Sequence, residues 1–447
     1  MSLLDKPRAE PVAEPGPLRR NRDFLLLWIG AGLSALGLRA SVAAYPLLMI
    51  FFGNSPAGAG VVGFAALLPQ LVVQLPAGAL IDRWDRRRLL IVCDVAGLLA
   101  MAAVTAMLLT GRLWLPLVAA AAFVDGAAGL FYRLAERAAI SHVVHPSQLT
   151  AALGQNEARG QAAGLLGQPA AGGLFQFGRW LPFAFTALTH LLALVTLLAI
   201  RRPLQGARGA PVTTLRSDVA EGLRWVWRQR FMRTAVVLLA GSNLLFQVLM
   251  LTLALVVKED DGSPLAIGMI GLVAGIGGVA GALAGSRAAG RAAPRAVLAG
   301  ALTLWAALMA PVAFVSDPVV LGVLLGGMSF AGALMNVVAG VHQIKITPEA
   351  LQGRVTSVFA LVGSGTASAG ALVGGFLLAA FGTHGTALGI AAGMGLLALA
   401  ALVSPALRVA ADPEPVADRE PAADREPAAD PEPPAPEIAD TARSEEI

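Results

Sequence analysis

The sequence predicts an all-α integral membrane protein with twelve transmembrane helices in two pseudo-symmetric six-helix bundles. Composition is the first reason, because 56% of the 447 residues are hydrophobic and only 14% are charged, unlike a soluble domain. The second is a series of long apolar runs, since about 20 apolar residues span a bilayer as a helix. The third is internal repetition, because motifs of the first six runs recur about 200 residues later.

The apolar runs divide the chain into five regions. The twelve runs are 24–51, 58–81, 89–110, 114–137, 150–175, 182–200, 231–257, 266–287, 295–315, 319–342, 351–380 and 386–407. We expect a cytoplasmic N-terminal segment (1–23), a first bundle (24–200), a cytoplasmic linker (201–230), a second bundle (231–407) and a disordered cytoplasmic tail (408–447). The tail repeats Ala-Asp-Arg-Glu-Pro-Ala and has too few apolar residues to fold. A partner-binding role and a solubilising role for the tail both stay open.

The linker contains one amphipathic segment. Apolar residues recur at helical spacing opposite arginines, at Leu215, Val219, Leu223 and Val226 against Arg216, Arg224 and Arg228. Such a pattern predicts a helix that lies on the cytoplasmic membrane surface.

Basic residues set the predicted orientation. Most of the 33 Lys and Arg residues fall in segments that share one side with both termini, whereas Arg112, Arg179 and Lys258 fall in loops on the other side. Positive charge favours the cytoplasm, so we expect a multi-pass protein of the cell membrane with both termini inside. Since the topology accounts for the net charge of +4, no nucleic-acid partner is expected. We also see no removable signal peptide.

Metal and cofactor chemistry is not expected. Cys93 is the only cysteine, which excludes an internal disulfide and a multi-cysteine metal site, and it is best interpreted as a packing residue.

The two bundles are predicted to be parallel repeats. Three motifs recur at offsets of 203, 202 and 202 residues: Gly78–Asp82 with Gly281–Gly285, Pro146–Leu149 with Pro348–Leu351, and Gly172-Gly173 with Gly374-Gly375. A shared register of this kind is typical of transporters built from duplicated halves. We therefore expect a monomer that carries its own pseudo-symmetry.

A polar hinge joins the second and third apolar runs. It reads Gly-Ala-Leu-Ile-Asp-Arg-Trp-Asp-Arg-Arg-Arg over 78–88 and resembles the signature loop of the major facilitator superfamily. The wider segment from Pro76 to Ile91, followed by Asp94, resembles the branch of macrolide-efflux and siderophore (enterobactin) exporters. The resemblance implies a gating role for Gly78, Asp82, Arg83, Arg86 and Arg87. Static charges that only set topology are the alternative.

Several charges fall inside the predicted spans. Arg39 and Asp125 lie at similar depth near the midplane, where ionisable residues are costly and usually paired or functional. They can form a structural ion pair, or Asp125 can carry a proton. Nearer the cytoplasm, we expect Glu136 and Glu157 to pair with the hinge arginines. All four are candidates for proton coupling.

The carboxylate of Asp82 is expected to face the start of span eleven. Thr347 and Pro348 are interpreted as the beginning of that helix, whose unpaired N–H groups would attract a carboxylate.

Span five ends in a run of small residues. Its motif resembles the Gly-Pro-x-x-Gly-Gly sequence of antiporters in the superfamily, and this resemblance implies export. The residues concerned are Gly164, Gly167, Pro169, Gly172 and Gly173. Ordinary tight helix packing is the alternative.

The second bundle offers a polar but uncharged wall. Candidate cavity residues are Asn243, Phe246, Gln247 and Asn336. Such a surface suits a large, mostly apolar ligand, although the amides can equally serve to join helices.

These features predict a secondary active transporter that exports amphipathic small molecules, such as drugs, secondary metabolites or siderophores, by proton antiport with alternating access. An uptake carrier and a non-transporting membrane sensor are the alternatives. A membrane enzyme is disfavoured because the sequence has no catalytic cluster and no Walker loop, and a channel would need rings of polar residues from several subunits. The expected partners are the substrate, protons and the lipid bilayer.

Overall fold

Every regular element in the described part of the chain is helical. The computed structural model describes residues 17–73, 84–200, 204–205 and 215–407. In chain order the helices are α1 (Arg22–Leu47), α2 (Pro56–Val72), α3 (Arg86–Leu109), α4 (Leu115–Val143), α5 (Leu149–Phe175), α6 (Leu181–Leu198), α7 (Leu215–Arg228), α8 (Arg230–Glu259), α9 (Pro264–Ala288), α10 (Pro294–Met309), α11 (Pro318–Ile346) and α12 (Gln352–Val403). The all-helical membrane class is confirmed.

Helix α12 contains two of the predicted spans. Its 52 residues would extend about 78 Å at 1.5 Å per residue, more than twice the thickness of a bilayer core. The helix breaks at Gly382, whose φ of 67° lies in the left-handed region that glycine adopts without a Cβ clash. Residues 352–381 and 383–403 therefore correspond to spans eleven and twelve.

Nine described helices are long and apolar enough to cross a membrane. The described part of α2 is shorter, at 17 residues, and α5 is more polar in its first half. When α12 is counted as two spans, these helices are consistent with the predicted twelve.

Polar caps begin several helices just outside the apolar runs. The side chains of Asn21, Ser55, Asp85 and Asp317 accept hydrogen bonds from backbone N–H groups in the first turns of α1, α2, α3 and α11. Because Asp85 caps α3, the helix starts at Arg86, three residues before the predicted run. Arg86 and Arg87 thus lie in the first turn of a helix.

The predicted surface helix is present as α7. Its Val226 is buried with Met232 of α8 and Val355 of α12, and Glu221 forms an ion pair of 2.5 Å with Arg354. The helix therefore packs on the start of α12, while Trp227 remains exposed.

The hydrophobic cores distinguish the two ends of the molecule. We call the end with α7 and the beginnings of α1 and α3 the linker face, and the other end the far face. Toward the far face one cluster joins Met49 and Val62 of the first six helices to Leu251 of α8 and Leu378 of α12. Toward the linker face the cores are separate, one around Phe24 and one containing Val226 and Val355.

Several predicted features lie outside the described residues. They are residues 1–16, the hinge over 74–83 with Gly78, Asp82 and Arg83, the linker over 201–203 and 206–214, and the tail over 408–447.

Candidate functional site

A buried cluster of two carboxylates and one histidine lies in the middle of the first six helices. His190 of α6 stands between Asp94 of α3 and Asp125 of α4, with its Nδ1 3.1 Å from Asp94 Oδ1 and its Nε2 3.3 Å from Asp125 Oδ1. All three side chains are at most 2% exposed. We call this group the Asp–His–Asp cluster.

Helix α1 completes the surroundings of Asp125. The Ser41 hydroxyl donates to Asp125 Oδ2 at 2.5 Å, and the Tyr45 hydroxyl lies 3.5 Å from the same oxygen. Gly97 leaves room for the imidazole, because a Cβ on this residue would lie 2.5 Å from His190 Nε2. Asp125 thus connects α4 with α1 and α6, and His190 extends the cluster to Asp94 of α3.

Asp94 is less completely satisfied than Asp125. Within the described residues, its Oδ2 is buried without a hydrogen bond of ordinary geometry, although the Ser34 hydroxyl interacts with this carboxyl. Buried polar atoms usually have partners, and exceptions often mark functional sites.

The expected pairing of Arg39 with Asp125 is wrong. Ser41, Tyr45 and His190 are the partners of Asp125, whereas Arg39 is exposed. Residues 39 and 41 differ by about 200° around a helix of 3.6 residues per turn. Since Ser41 faces Asp125, Arg39 must face away from it.

Glu136 does not pair with the hinge arginines that the structure describes, Arg86 and Arg87, while the expected contact with Arg83 lies outside the described residues. Arg159 of α5 binds both Glu136 oxygens through Nη2, at 2.9 and 3.0 Å, and its Nη1 donates to the Trp28 carbonyl. Asn156 donates to Glu136 Oε1 at 2.8 Å. This buried network holds α1, α4 and α5 together near the linker face.

Replacing Glu136 by Gln should strongly destabilise the protein, because Arg159 would remain as an unpaired buried charge. Breaking one partner of a buried pair typically costs about 3–5 kcal/mol, so thermal unfolding in detergent should move to clearly lower temperature. Glu221→Gln is the matched control, since its pair with Arg354 is largely exposed and worth at most about 1 kcal/mol. Equal shifts for the two variants would contradict a special role for the buried pair.

The described hinge arginines bind backbone carbonyls. Arg86 Nη1 donates to Ala138 O at 3.0 Å and lies 3.3 Å from His142 Nδ1, while Arg87 Nη2 donates to Leu198 O at 3.2 Å. Their partners are therefore α4 and α6, in the same half of the sequence. Glu157 accepts from Gln161 instead.

The predicted start of span eleven is correct at Pro348. Thr347 directly follows the last residue of α11, and Pro348 is the N-cap of a 3₁₀ turn, Glu349–Leu351, that leads directly into α12. The Thr347 hydroxyl is buried without a hydrogen-bond partner among the described residues. Whether Asp82 approaches this position stays a prediction, because Asp82 lies outside the described residues.

The two halves of the sequence touch closely toward the far face. They meet through α2 with α12 and through α5 with α9. A Cβ on Gly60 would lie 2.8 Å from Gly375 Cα, and one on Gly172 would lie 2.4 Å from the Pro264 carbonyl oxygen. Lys258 adds a polar link, because its Nζ donates to the carbonyl of Ile50 and to Asn54 Oδ1.

Toward the linker face the described helices separate. Several glycines near this face have open space beside them, because an added Cβ would meet no atom within 4 Å. They are Gly154, Gly160 and Gly164 of α5, Gly340 of α11 and Gly353 of α12. Together with the separate cores described above, these open positions indicate a space between the described helices at the linker face, which we call the cleft, and the contact of α5 with α9 lies beyond it toward the far face.

The glycine motif of span five lies at the closed end of the cleft. Gly167 contacts Arg39 and Ala40 of α1, and Gly172 contacts Pro264 of α9. Pro169 packs on Gly268, and Gly173 reaches only Leu265, at 3.8 Å from an added Cβ. The motif therefore faces α1 and α9, while Gly164 faces the cleft.

The cleft carries charge on one side. Arg39, Arg133 and Glu157 are exposed side chains of α1, α4 and α5, and the charge of Arg133 interacts with the other two. No such charge lies at this depth among the described residues of α8 and α11.

The predicted amides of the second half lie next to α12 and in the cleft. Asn243 and Gln247 are half-buried beside Gly363 and Gly370, and Asn336 is exposed. Phe246 packs edge-on against Trp305 of α10, at 4.7 Å between ring centres, which turns it toward the core. Within the described residues, no group of three or more His, Cys, Asp or Glu could hold a metal ion.

His190 and Asp94 are the cluster members that the sequence analysis did not select. His190 is a lone ionisable residue in the middle of an apolar run, and that property alone marks a functional candidate in a membrane protein.

A helical membrane protein with duplicated motifs, a central cleft closed at one face and buried ionisable groups is a secondary transporter of the major facilitator type. Solved structures support this fold: the nucleoside transporter NupG has a TM-score of 0.70 at 13% identity, covering 85% of this chain and 98% of that one. A bacterial homologue of the human lysosomal transporter Spinster has a TM-score of 0.65 at 13% identity, covering 88% and 97%.

Sequence comparison identifies the family. The profile of the transmembrane secretion effector family matches residues 13–428, and the chain belongs to this family. The multidrug efflux pump Tap of Mycobacterium tuberculosis is 30% identical over 409 residues, covering 87% of this chain and 94% of the pump. Tap of Mycolicibacterium fortuitum is 27% identical over 400 residues, covering 87% and 97%.

Proposed function

We propose that this transporter exports amphipathic small molecules from the cytoplasm in exchange for protons, and that the Asp–His–Asp cluster binds the proton. The burial of Asp94, His190 and Asp125 near the middle of three apolar helices is the observation that carries the proposal, because ionisable groups inside membrane spans are costly and usually functional.

The two hydrogen bonds of His190 indicate which protonation states the cluster can adopt. A neutral imidazole has one N–H group and can donate a hydrogen bond to only one carboxylate. To hydrogen-bond both carboxylates, the cluster must hold one proton more than a neutral histidine and two ionised carboxylates hold together. That state carries a net charge of −1, whether the extra proton resides on the ring or on a carboxyl. One further proton makes the cluster neutral. It can therefore alternate between two protonation states that differ by one charge.

Helix α1 links proton binding to the shape of the cleft. One side of α1 supplies Ser41 and Tyr45 to Asp125, and its opposite side carries Arg39. A movement of α1 that opened or closed the cleft would change the hydrogen bonds to Asp125. Each protonation state would then favour one arrangement of the helices.

The direction of transport follows from the proposed orientation. Positive-inside topology assigns the linker face and both termini to the cytoplasm of the cell membrane. The cleft then opens to the cytoplasm while the contacts near Gly60 and Gly172 seal the outside. Cargo enters from the cytoplasm, and rocking of the halves 24–200 and 231–407 within one monomer exposes it to the exterior. The names of the Tap relatives support drug-like cargo.

Dye accumulation in cells tests the proposal. Cells that produce the protein should accumulate less of the zwitterionic dye rhodamine B than cells that produce Asp125→Asn at equal level, because only the former expel the dye. Collapsing the proton gradient with a protonophore should remove the difference. A difference that survives the protonophore would refute proton antiport, and greater accumulation with the wild-type protein would indicate uptake.

A further inference from the structure

The two arginines of the cleft differ from Arg86 and Arg159, which lie in the same half of the sequence. Arg159 binds Glu136, and Arg86 binds a backbone carbonyl. Arg39 and Arg133, by contrast, are exposed and form no hydrogen bond or ion pair among the described residues. An ionisable side chain in a membrane span normally faces a partner or an aqueous cavity. A ligand that pairs with these two arginines would provide such a partner.

Both arginines face the cleft and not the lipid. Residues Gly126, Gly129 and Arg133 share one side of α4 by their helical spacing, and the two glycines contact α2 and α1. Arg39 lies on the side of α1 opposite Ser41 and beside Gly167 of α5. The two guanidinium groups thus point toward the space that α1, α4 and α5 enclose.

The charges of the described residues in this space do not balance. Arg39 and Arg133 supply two positive charges, and Glu157 offsets only one of them. Across the cleft, the exposed Asn336 and the half-buried Asn243 are uncharged. One side of the cleft is therefore cationic, and the other is neutral with apolar surroundings.

We infer that Arg39 and Arg133 bind an acidic group of the cargo, so that the exported molecule is an amphipathic anion or a zwitterion. A carboxylate or phosphate suits guanidinium groups, which form two parallel charged hydrogen bonds with such oxygens. The apolar body of the same molecule would lie against the neutral side. The inference rests on the proposed export function, whose cargo it specifies.

A matched pair of fluorescent probes tests the inference. Dansylated undecanoic acid and its primary amide differ only in charge, and their binding to the full-length protein in lipid nanodiscs can be measured by dansyl emission. The wild-type protein should bind the acid at least about tenfold more tightly than the amide, which corresponds to about 1.4 kcal/mol. Arg39→Gln and Arg133→Gln should each remove most of this preference and leave amide binding unchanged.

Two further variants serve as controls. Arg112→Gln removes an exposed arginine of the loop before α4 and should keep the full preference. Arg39→Lys keeps the charge and should retain part of it, which separates loss of charge from loss of fold. Equal binding of acid and amide by the wild-type protein, binding of neither probe, or equal loss of both probes in the Gln variants would overturn the inference.

The same proteins distinguish this inference from the proposed function. If the acid remains preferred but the proton gradient does not change dye export, proton antiport fails and the anion site stands. If export depends on the gradient but the acid is not preferred, the anion site fails and the export proposal stands.

Discussion

Replacing Asp125 by Asn should abolish export driven by a proton gradient while leaving a folded, membrane-inserted protein. Asparagine keeps the shape and one acceptor oxygen for Ser41, but it cannot bind the exchanged proton. We expect the rate of gradient-driven export in proteoliposomes to fall by more than about tenfold, because the variant lacks the carboxylate proposed to take up and release the proton, and a tenfold change needs only about 1.4 kcal/mol.

Exchange of substrate across the membrane without a gradient separates coupling from binding. Asp125→Asn should still exchange labelled for unlabelled substrate, since the cleft is unchanged. Glu157→Gln is the matched control, because Glu157 is also a carboxylate of the first half but is exposed in the cleft. If Glu157→Gln abolished coupling and Asp125→Asn retained it, the proton site would lie in the cleft and not in the Asp–His–Asp cluster.

Replacing Gly60 by Val should prevent closure of the far face and so stop transport. A Cβ at this position would lie 2.8 Å from the Ala371 carbonyl oxygen and from Gly375 Cα, and these backbone atoms cannot rotate away. Overpacking of this kind costs about 1–3 kcal/mol, which would shift the equilibrium between the two arrangements by about 5- to 150-fold.

Chemical labelling can detect that shift. In a variant with Cys93 replaced by Ser, a single cysteine at Ser368 should react with a membrane-impermeant maleimide much faster when Gly60 is Val, because Ser368 is buried against Phe64 at this contact. Gly300→Val is the control, since Gly300 is exposed and an added Cβ meets nothing within 4 Å. Wild-type transport by Gly60→Val would show that the contact does not matter.

The position of a residue along its helix was predictable from the sequence, whereas its direction around the helix was not. Apolar runs and caps such as Asp85 locate the helices to within a few residues, and counting along them correctly places Asp125 near the middle of α4. Its partner depends on how α1 is rotated against α4. Residues 39 and 41 lie about 200° apart around α1. The rotation of α1 places Ser41, and not Arg39, next to the carboxylate of Asp125.

The Asp–His–Asp cluster was beyond sequence reasoning for a related reason. Asp94, Asp125 and His190 come from three different helices, and only the packing of α3, α4 and α6 brings them within hydrogen-bond distance. The same holds for Glu136. Several arginines lie at a suitable depth to pair with it, and the packing of α5 determines that Arg159 does so.

Helix α1 stands between the buried carboxylates and the cleft, with Ser41 on one side and the exposed Arg39 on the other. If the Asp–His–Asp cluster binds the exchanged proton and the cleft binds the cargo, as proposed, the two routes do not overlap, and proton and cargo do not compete for the same volume. A carrier arranged in this way can accept molecules of varied size and shape while exchanging the same number of protons for each. Broad substrate specificity then does not require the protons to leak across the membrane.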